Sequence, residues 1–233
     1  MRSLSLYRPT QTTPCGYLPN HWSRSDYVDP RVALTTEELT QLNRLGFRRS
    51  GQLLYRPACP DCNACESARF EPLKLRINRR LKRAIKYCRP FHLAVETAHY
   101  SDEHYRLYRA YINARHRDGA MYPPSQQQYE EFITSHFGNT AFLTLRCGEQ
   151  LIGCLVFDLL QDGVSSVYCY FDTHYEHCSP GRYLIYSLSA VAIALKLPYH
   201  YLGYYIDNCK KMTYKAEWQP LDLLQNGVWQ AKS

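Results

Sequence analysis

No stretch of this sequence is apolar for long enough to cross a membrane. The longest apolar run, around Leu188 to Leu197, falls well short of the roughly 20 residues that a spanning helix needs. Residues 1–11 hold no apolar core of signal-peptide length. There is no internal repeat and no low-complexity linker. A Ser/His/Asp or Cys/His signature of covalent catalysis is missing, and so is a glycine-rich loop of the kind that cradles pyrophosphate. These absences point to a cytoplasmic globular protein, in which cysteines stay reduced or bind metal and do not form a disulfide framework.

What is present is an ordinary globular composition with three excesses. Hydrophobic residues make up 45% and charged residues 21%, which excludes a disordered chain. The 233 residues suffice for one large domain or two modest ones. The excesses are 21 tyrosines, 10 cysteines and a net charge of +7. Positive charge favours phosphate-bearing partners. Tyrosines serve either base stacking or half-polar core packing.

The densest chemistry lies in Pro57-Ala58-Cys59-Pro60-Asp61-Cys62-Asn63-Ala64-Cys65, where two-residue gaps put three thiols on one tight loop. Such a run resembles the ligand spacing of iron–sulfur proteins, with Cys15 as a fourth thiolate. Zinc is the second reading, because a zinc site usually pairs two separated knuckles. Reduced thiols in a buried turn are the third. Cys88, Cys147, Cys154, Cys169, Cys178 and Cys209 lack ligand spacing and read as packing residues.

Along the chain, Thr35 and Glu38 form a capping box that opens a helix over 36–45, stopped by Gly46. Arg48 and Arg49 then leave on a loop. Residues 69–75 read as extended. From Asn78 the pattern turns helical, with Ile77, Leu81, Ala84, Ile85 and Cys88 on one stripe. Arg79, Arg80, Lys82, Arg83, Lys86 and Arg89 occupy the other faces, without one acidic residue among them. A solvated face normally mixes signs, so this helix is a candidate contact for nucleic acid.

Pro90 closes that helix, and a second unit begins near residue 91. It opens with a strand near 93–97 and a helix from 102 to 116, and Ser125 caps another helix to about 136. Strands follow at 141–147, 151–160 and 164–171, joined by hairpin turns. An apolar helix from 179 to 195 and a strand at Tyr199–Tyr205 complete a strand–helix–strand crossover. The expected architecture is α+β, with domains at 1–90 and 91–233 and a mixed sheet whose last strands diverge.

Five blocks in order resemble one family: Cys15-Gly16-Tyr17-Leu18-Pro19; Gly46-Phe47-Arg48-Arg49-Ser50-Gly51; Tyr55-Arg56-Pro57 with the three cysteines; Arg115-His116 with Gly119 and Met121; and Tyr201 to Ile206 with Cys209-Lys210-Lys211-Met212 and Tyr214-Lys215. The chain is similar to the bacterial aminoacyl-tRNA–protein transferases of the N-degron pathway, the leucyltransferases before the arginyltransferases. The resemblance implies an N-terminal cysteine-containing domain and a C-terminal GNAT-like acyltransferase domain. It also implies transfer of an aminoacyl group from tRNA to the α-amine of proteins beginning with Asp or Glu. Eukaryotic relatives are associated with an iron–sulfur cluster, which carries over only as an expectation for Cys15, Cys59, Cys62 and Cys65.

That reaction needs no nucleophile from the enzyme, since the aminoacyl ester is already activated; it needs orientation and removal of one proton. No cofactor is required for it. An acidic acceptor side chain calls for a cationic fork, and Arg48 and Arg49 are the first candidates, against a salt-bridge role. Asp207, just past the strand 199–205, is the candidate base, against a structural hydrogen-bonding role. Lys210, Lys211 and Lys215 are candidates for the acceptor-stem phosphates, and Tyr201, Tyr204 and Tyr205 for stacking on the terminal adenine, with packing as the alternative. Arg115, His116 and Tyr214 are carried over as substrate contacts from the matching blocks. Gly181 and Arg182 open a helix where an aminoacyl-adenosine end would take the place of coenzyme A. Outside this family stand an acetyl-coenzyme A-dependent acetyltransferase and a non-catalytic tRNA-binding or redox module.

Overall fold

The computed structural model describes residues 3–119, 121–133 and 139–232. Its centre is one eight-stranded mixed sheet. The members in chain order are β7 (Glu66–Phe70), β8 (His92–Thr97), β9 (Thr140–Cys147), β10 (Gln150–Leu159), β11 (Gly163–Phe171), β12 (Tyr199–Tyr205), β13 (Asp222–Gln225) and β14 (Val228–Ala231). They lie in the order β14-β13-β7-β12-β11-β10-β9-β8. A four-stranded sheet is ordered β1-β4-β6-β5, from β1 (Leu6–Tyr7), β4 (Ser25–Val28), β5 (Arg48–Ser50) and β6 (Leu53–Pro57). The short pair β2 (Thr13–Pro14) and β3 (Trp22–Ser23) stands beside it.

The helices are α1 (Thr36–Arg44), α2 (Arg79–Cys88), α3 (Asp102–Arg115), α4 (Gln126–Ile133) and α5 (Pro180–Ala194). α1 has the expected reciprocal cap between Thr35 and Glu38. α2 and α5 cover one face of the large sheet, packing Ala84, Cys88, Leu184 and Leu188 on Leu143, Leu145 and Leu155. α3 and α4 cover the other, where Tyr108, Ile112 and Tyr129 meet Phe142, Val156 and Tyr170. The expected helix from Ser125 ends outside the described residues. Among the described residues no helix is long and apolar enough to cross a membrane.

Two sequence expectations change. The boundary at residue 90 does not divide two sheets, because β7 lies between β12 and β13. Its central place explains its burial, with Ala68 and Phe70 fully enclosed; only the first part of the expected extended run 69–75 is strand. The second change concerns Arg48 and Arg49, which are not on a loop but form β5, both side chains buried.

The parallel pair β11–β12 is short. It runs from Gly163↔Tyr199 to Ser165↔Tyr201, and beyond that the strands share no ladder. At its start a Cβ on Gly163 would meet the Tyr199 carbonyl oxygen at 2.4 Å, so only glycine fits. Past the parting, β12 is irregular opposite β7 between Tyr201 and Gly203, and Gly203 takes φ +80°.

A buried ion pair ties β5 to the large sheet. Arg49 Nε and Nη2 reach Asp158 Oδ2 and Oδ1 at 2.8 and 3.1 Å, and Thr140 Oγ1 donates to Oδ1 at 2.6 Å. Removing one member of such a pair strands a charge in the interior. Asp158→Asn is expected to cost about 3–5 kcal/mol, seen as a lowered urea midpoint. The double change Arg49→Met with Asp158→Leu should recover much of that loss.

Candidate functional site

Two assemblies meet near the parted end of β12. The first is a cavity of about 270 Å³ whose walls include Cys15, Cys59, Cys62 and Cys65, with His21, Arg56, Tyr204 and Ile206. The three-cysteine loop thus does come together with Cys15. The sulfur of Cys15 accepts from the backbone N–H groups of Tyr17 and Leu18, both at 3.5 Å. The Cys59 thiol points instead to the Arg24 carbonyl, at 3.6 Å. Burial, helped by the neighbouring thiols Cys59, Cys15 and Cys62, pushes the Cys65 thiol up to about 12. Among the described residues no three His, Cys, Asp or Glu side chains stand so that they could hold a metal ion. The four thiols share a cavity but, as arranged, are not a coordination sphere.

Behind this cavity the candidate acceptor fork is committed only in part: Arg49 is fully held, whereas Arg48 Nε and Nη2 are buried and, among the described residues, have no hydrogen-bond partner. Arg48 donates from Nη1 to the Asn43 carbonyl and side-chain oxygens, both at 3.0 Å, and to the Phe47 carbonyl at 2.7 Å. Its guanidinium carbon lies 5.4 and 5.9 Å from the Tyr201 and Tyr204 ring centres. Burial draws its pKa down. Arg49 is held by Asp158 and by the Gly51 and Phe132 carbonyls. Arg49 is therefore not a free fork for an acidic substrate, while Arg48 is buried with Nε and Nη2 unpartnered among the described residues.

The tyrosines of β12 pack as well. The Tyr201 hydroxyl donates to Asp162 at 2.9 Å and that of Tyr204 to the Gly46 carbonyl at 2.8 Å, and both residues are buried. Neither offers an open face to an adenine. Lys215 is only 5% exposed. Its Nζ donates to the Tyr204 carbonyl and approaches Met212 Sδ at 3.4 Å. Burial first, then the charge of Arg48, pulls its pKa down to about 7. It is an interior donor and not a phosphate contact.

The second assembly does gather predicted residues, at the end of α3, the end of β11, the start of α5 and the segment after β12. The Tyr111 ring of α3 lies edge-on to His116 at 5.3 Å and tilted against Phe171, the last residue of β11, at 5.0 Å. A Cβ on Gly181 would lie 3.4 Å from that Phe171 ring. Tyr214 is within electrostatic reach of Tyr111, Cys169 and Arg182. Arg115 pairs with Glu176, and Lys211 with Asp118 at 2.7 Å. Arg182 holds Glu217 through Nε at 3.2 Å and Nη2 at 3.3 Å. Burial, then the charges of Lys211 and Arg115, keeps the His116 pKa below its ordinary value. Asp207 is exposed and accepts a hydrogen bond from the Tyr205 hydroxyl; Lys210 is exposed.

Tyr111 and Glu217 were missed in the sequence. Tyr111 is one of several tyrosines on its helix, and only the fold shows which one turns to β11. Glu217 also binds Arg80 Nη1 at 2.5 Å, so it joins α5 to α2. On α2 itself, Arg79, Lys82, Arg83 and Lys86 are exposed, and among the described residues none of the four makes an ion pair. Leu81, Ala84 and Cys88 form the buried side as expected, whereas Ile77 precedes the helix and is exposed.

Family comparisons cover nearly the whole chain. A family model described as arginine-tRNA-protein transferase, C terminus, matches residues 103–225, and its N-terminus counterpart matches residues 13–83. The aspartate/glutamate leucyltransferase of Alcanivorax borkumensis is 41% identical, over 100% of this chain and 96% of that one. The protein of the same name from Marinobacter nauticus is 38% identical, over 100% and 98%, and that from Nitrosococcus oceani 39%, over 93% and 91%. Among solved structures, L-PGS from Bacillus licheniformis aligns at a TM-score of 0.49 with 11% identity, over 72% of this chain and 58% of that one, a likeness too slight to bear on function. Both the N- and C-terminal family models, and relatives matched over their full length, agree: the chain belongs to the arginine-tRNA-protein transferase family.

Proposed function

We propose that this protein carries leucine from leucyl-tRNA to the α-amine of proteins beginning with Asp or Glu, a mark for degradation in the N-degron pathway, within a reducing cytoplasm. The observation that carries the reading is full-length identity of 41% to an aspartate/glutamate leucyltransferase. The cleft chemistry supports it. Transfer from an activated ester asks for orientation and one proton acceptor, and the parted end of β11 offers aromatic walls, arginines and an imidazole. We read the divergence of β11 and β12, with α5 beginning beside it, as the donor cleft of a GNAT-like acyltransferase. Arg115, His116, Gly181, Arg182, Lys210, Lys211 and Tyr214 are its proposed substrate contacts.

The test is a transfer assay with peptides starting in Asp, Glu, Lys or Ala and tRNA charged with leucine or arginine, read by mass spectrometry. Leucine is expected on the Asp and Glu peptides alone. Arginine gained instead would correct the donor, and no gain with any pair would leave a non-catalytic tRNA-binding module.

Arg79, Arg80, Lys82, Arg83 and Lys86 are the proposed tRNA surface, because a face on which four of these five cations make no ion pair among the described residues is matched by phosphates. Changing Lys82, Arg83 and Lys86 together to Gln should weaken tRNA binding. It should also flatten the dependence of log K on log salt by about 2–3 units, near 0.9 or somewhat less per phosphate contact. An unchanged slope would remove α2 from the interface.

Cys15, Cys59, Cys62 and Cys65 are proposed to hold an iron–sulfur cluster, or zinc in second place. The loop would first have to draw its sulfurs together, and no transfer step passes through such a group. Anaerobically purified protein is expected to contain iron; the absence of both iron and zinc by elemental analysis would overturn the proposal.

A further inference from the structure

The cleft holds an imidazole whose ring nitrogens are uncommitted among the described residues. His116 follows α3 as its C-cap, fixed through its backbone N–H to the Ile112 carbonyl at 2.9 Å. Its ring lies edge-on to Tyr111, which itself rests on Phe171 where β11 ends. Among the described residues neither ring nitrogen makes a hydrogen bond. The groups around it are Tyr111 and Arg115 from α3, Asp118 from the following turn and Lys211 from the segment after β12. Glu176 approaches through Arg115. Lys211 is paired with Asp118 and Arg115 with Glu176, so both cations are held beside the ring. Burial and the two cations favour the neutral form of this imidazole, which has a lone pair to offer. Asp207 is differently placed: it is exposed, and one carboxylate oxygen already accepts from Tyr205.

We propose that His116 is the catalytic residue that takes the proton of the attacking α-amine, an inference that rests on the transfer reading above. The amine nitrogen forms a bond to the ester carbonyl carbon of the leucyl group, and one of its protons passes to an imidazole nitrogen. The bond from that carbon to the oxygen of the terminal ribose then breaks. The imidazolium gives the proton to that oxygen, leaving an amide and a free ribose hydroxyl. No other reactant enters. The ring needs a cleft in which the amine arrives uncharged, and α-amines titrate near 7.7–8.0, so a base of modest strength suffices.

The test uses the full-length protein in single turnovers at saturating leucyl-tRNA with an Asp-starting peptide. His116→Ala and His116→Gln should each lower the rate roughly 10²-fold or more at saturating leucyl-tRNA. Added imidazole should restore part of the rate to His116→Ala, rising with pH as imidazole loses its proton. The wild-type rate should show an acid limb below about 6.5, the ordinary histidine value, that both variants lack. Asp207→Asn should stay within a few-fold of wild type. An active wild type beside an equally active His116→Ala overturns the assignment alone. So does a loss confined to KM without imidazole rescue, which would make His116 a positioning residue, or the large loss appearing in Asp207→Asn. A wild type that transfers nothing overturns the function and this role together.

Discussion

The constraint on which the rest of this structure depends is that β11 and β12 stop pairing after three residues. A sheet that continued would close the only gap between parallel strands in the eight-stranded order among the described residues. The parting is built in from both ends. At the closed end, Gly163 permits an approach that no side chain would allow. There His200, fully buried, bridges Ser166 of β11 at 2.8 Å and Ser189 of α5 at 2.9 Å, and burial drives its pKa down to about 3. A neutral ring that is hydrogen-bonded at both nitrogens pins strand to helix. At the open end, Gly203 turns the backbone of β12 and Lys215 donates to the Tyr204 carbonyl, a group that a continuing ladder would otherwise have to satisfy. The segment carrying Lys215 therefore lies where the sheet has opened, and Tyr214 comes to the cleft with it.

Cations in this protein divide sharply by partner. Arg48, Arg49 and Arg69 are interior groups, held by carbonyls, by Asp158 or between aromatic faces, as with Arg69 at 3.7 Å from the Tyr199 ring centre and 4.2 Å from that of Trp229. Their positive charge lies in the interior, where Arg48 Nε and Nη2 and Arg69 Nε find no hydrogen-bond partner among the described residues. On α2, by contrast, Arg79, Lys82, Arg83 and Lys86 project into solvent close together and make no ion pair among the described residues. Net charge alone could not have separated these populations, because burial decides which guanidinium can meet a phosphate.

Legibility followed sequence distance. The capping box of α1, the hairpins of β9, β10 and β11, the helix α5 and the strand Tyr199–Tyr205 are written in local periodicity and turns, and the structure has them within a residue or two. β7 is a five-residue strand whose partners, β12 and β13, lie more than a hundred residues later, so nothing near it announces its central place. Arg49 reads as a surface cation until Asp158, 109 residues away, is brought beside it. The same limit applied to the site. The blocks around Arg115, His116 and Tyr214 could be picked out one by one, but that all three come near Tyr111, which lies against Phe171, follows only from the fold. The tyrosines Tyr201 and Tyr204 show the opposite error: alternate placement on a strand offers two faces, and both proved to be packed.

Glu217 gives the assembly its remaining coherence. Through one carboxylate it holds Arg80 at the start of α2 and Arg182 at the start of α5, and its backbone carbonyl accepts from Asn78, the N-cap of α2, at 3.4 Å. A half-exposed ion pair on its own contributes little to stability. Its consequence here is geometric. The basic helix and the helix that opens onto the cleft are fastened to the same turn, Thr213–Glu217, which also bears Tyr214 and Lys215. Under the proposed function, an acceptor stem lying along α2 would meet its cations and the proposed cleft on two helices tied through one carboxylate. The activated ester would then arrive beside His116 by the placement of the whole tRNA end, and orientation of that kind is the main contribution an enzyme can make to a reaction whose acyl group is already activated.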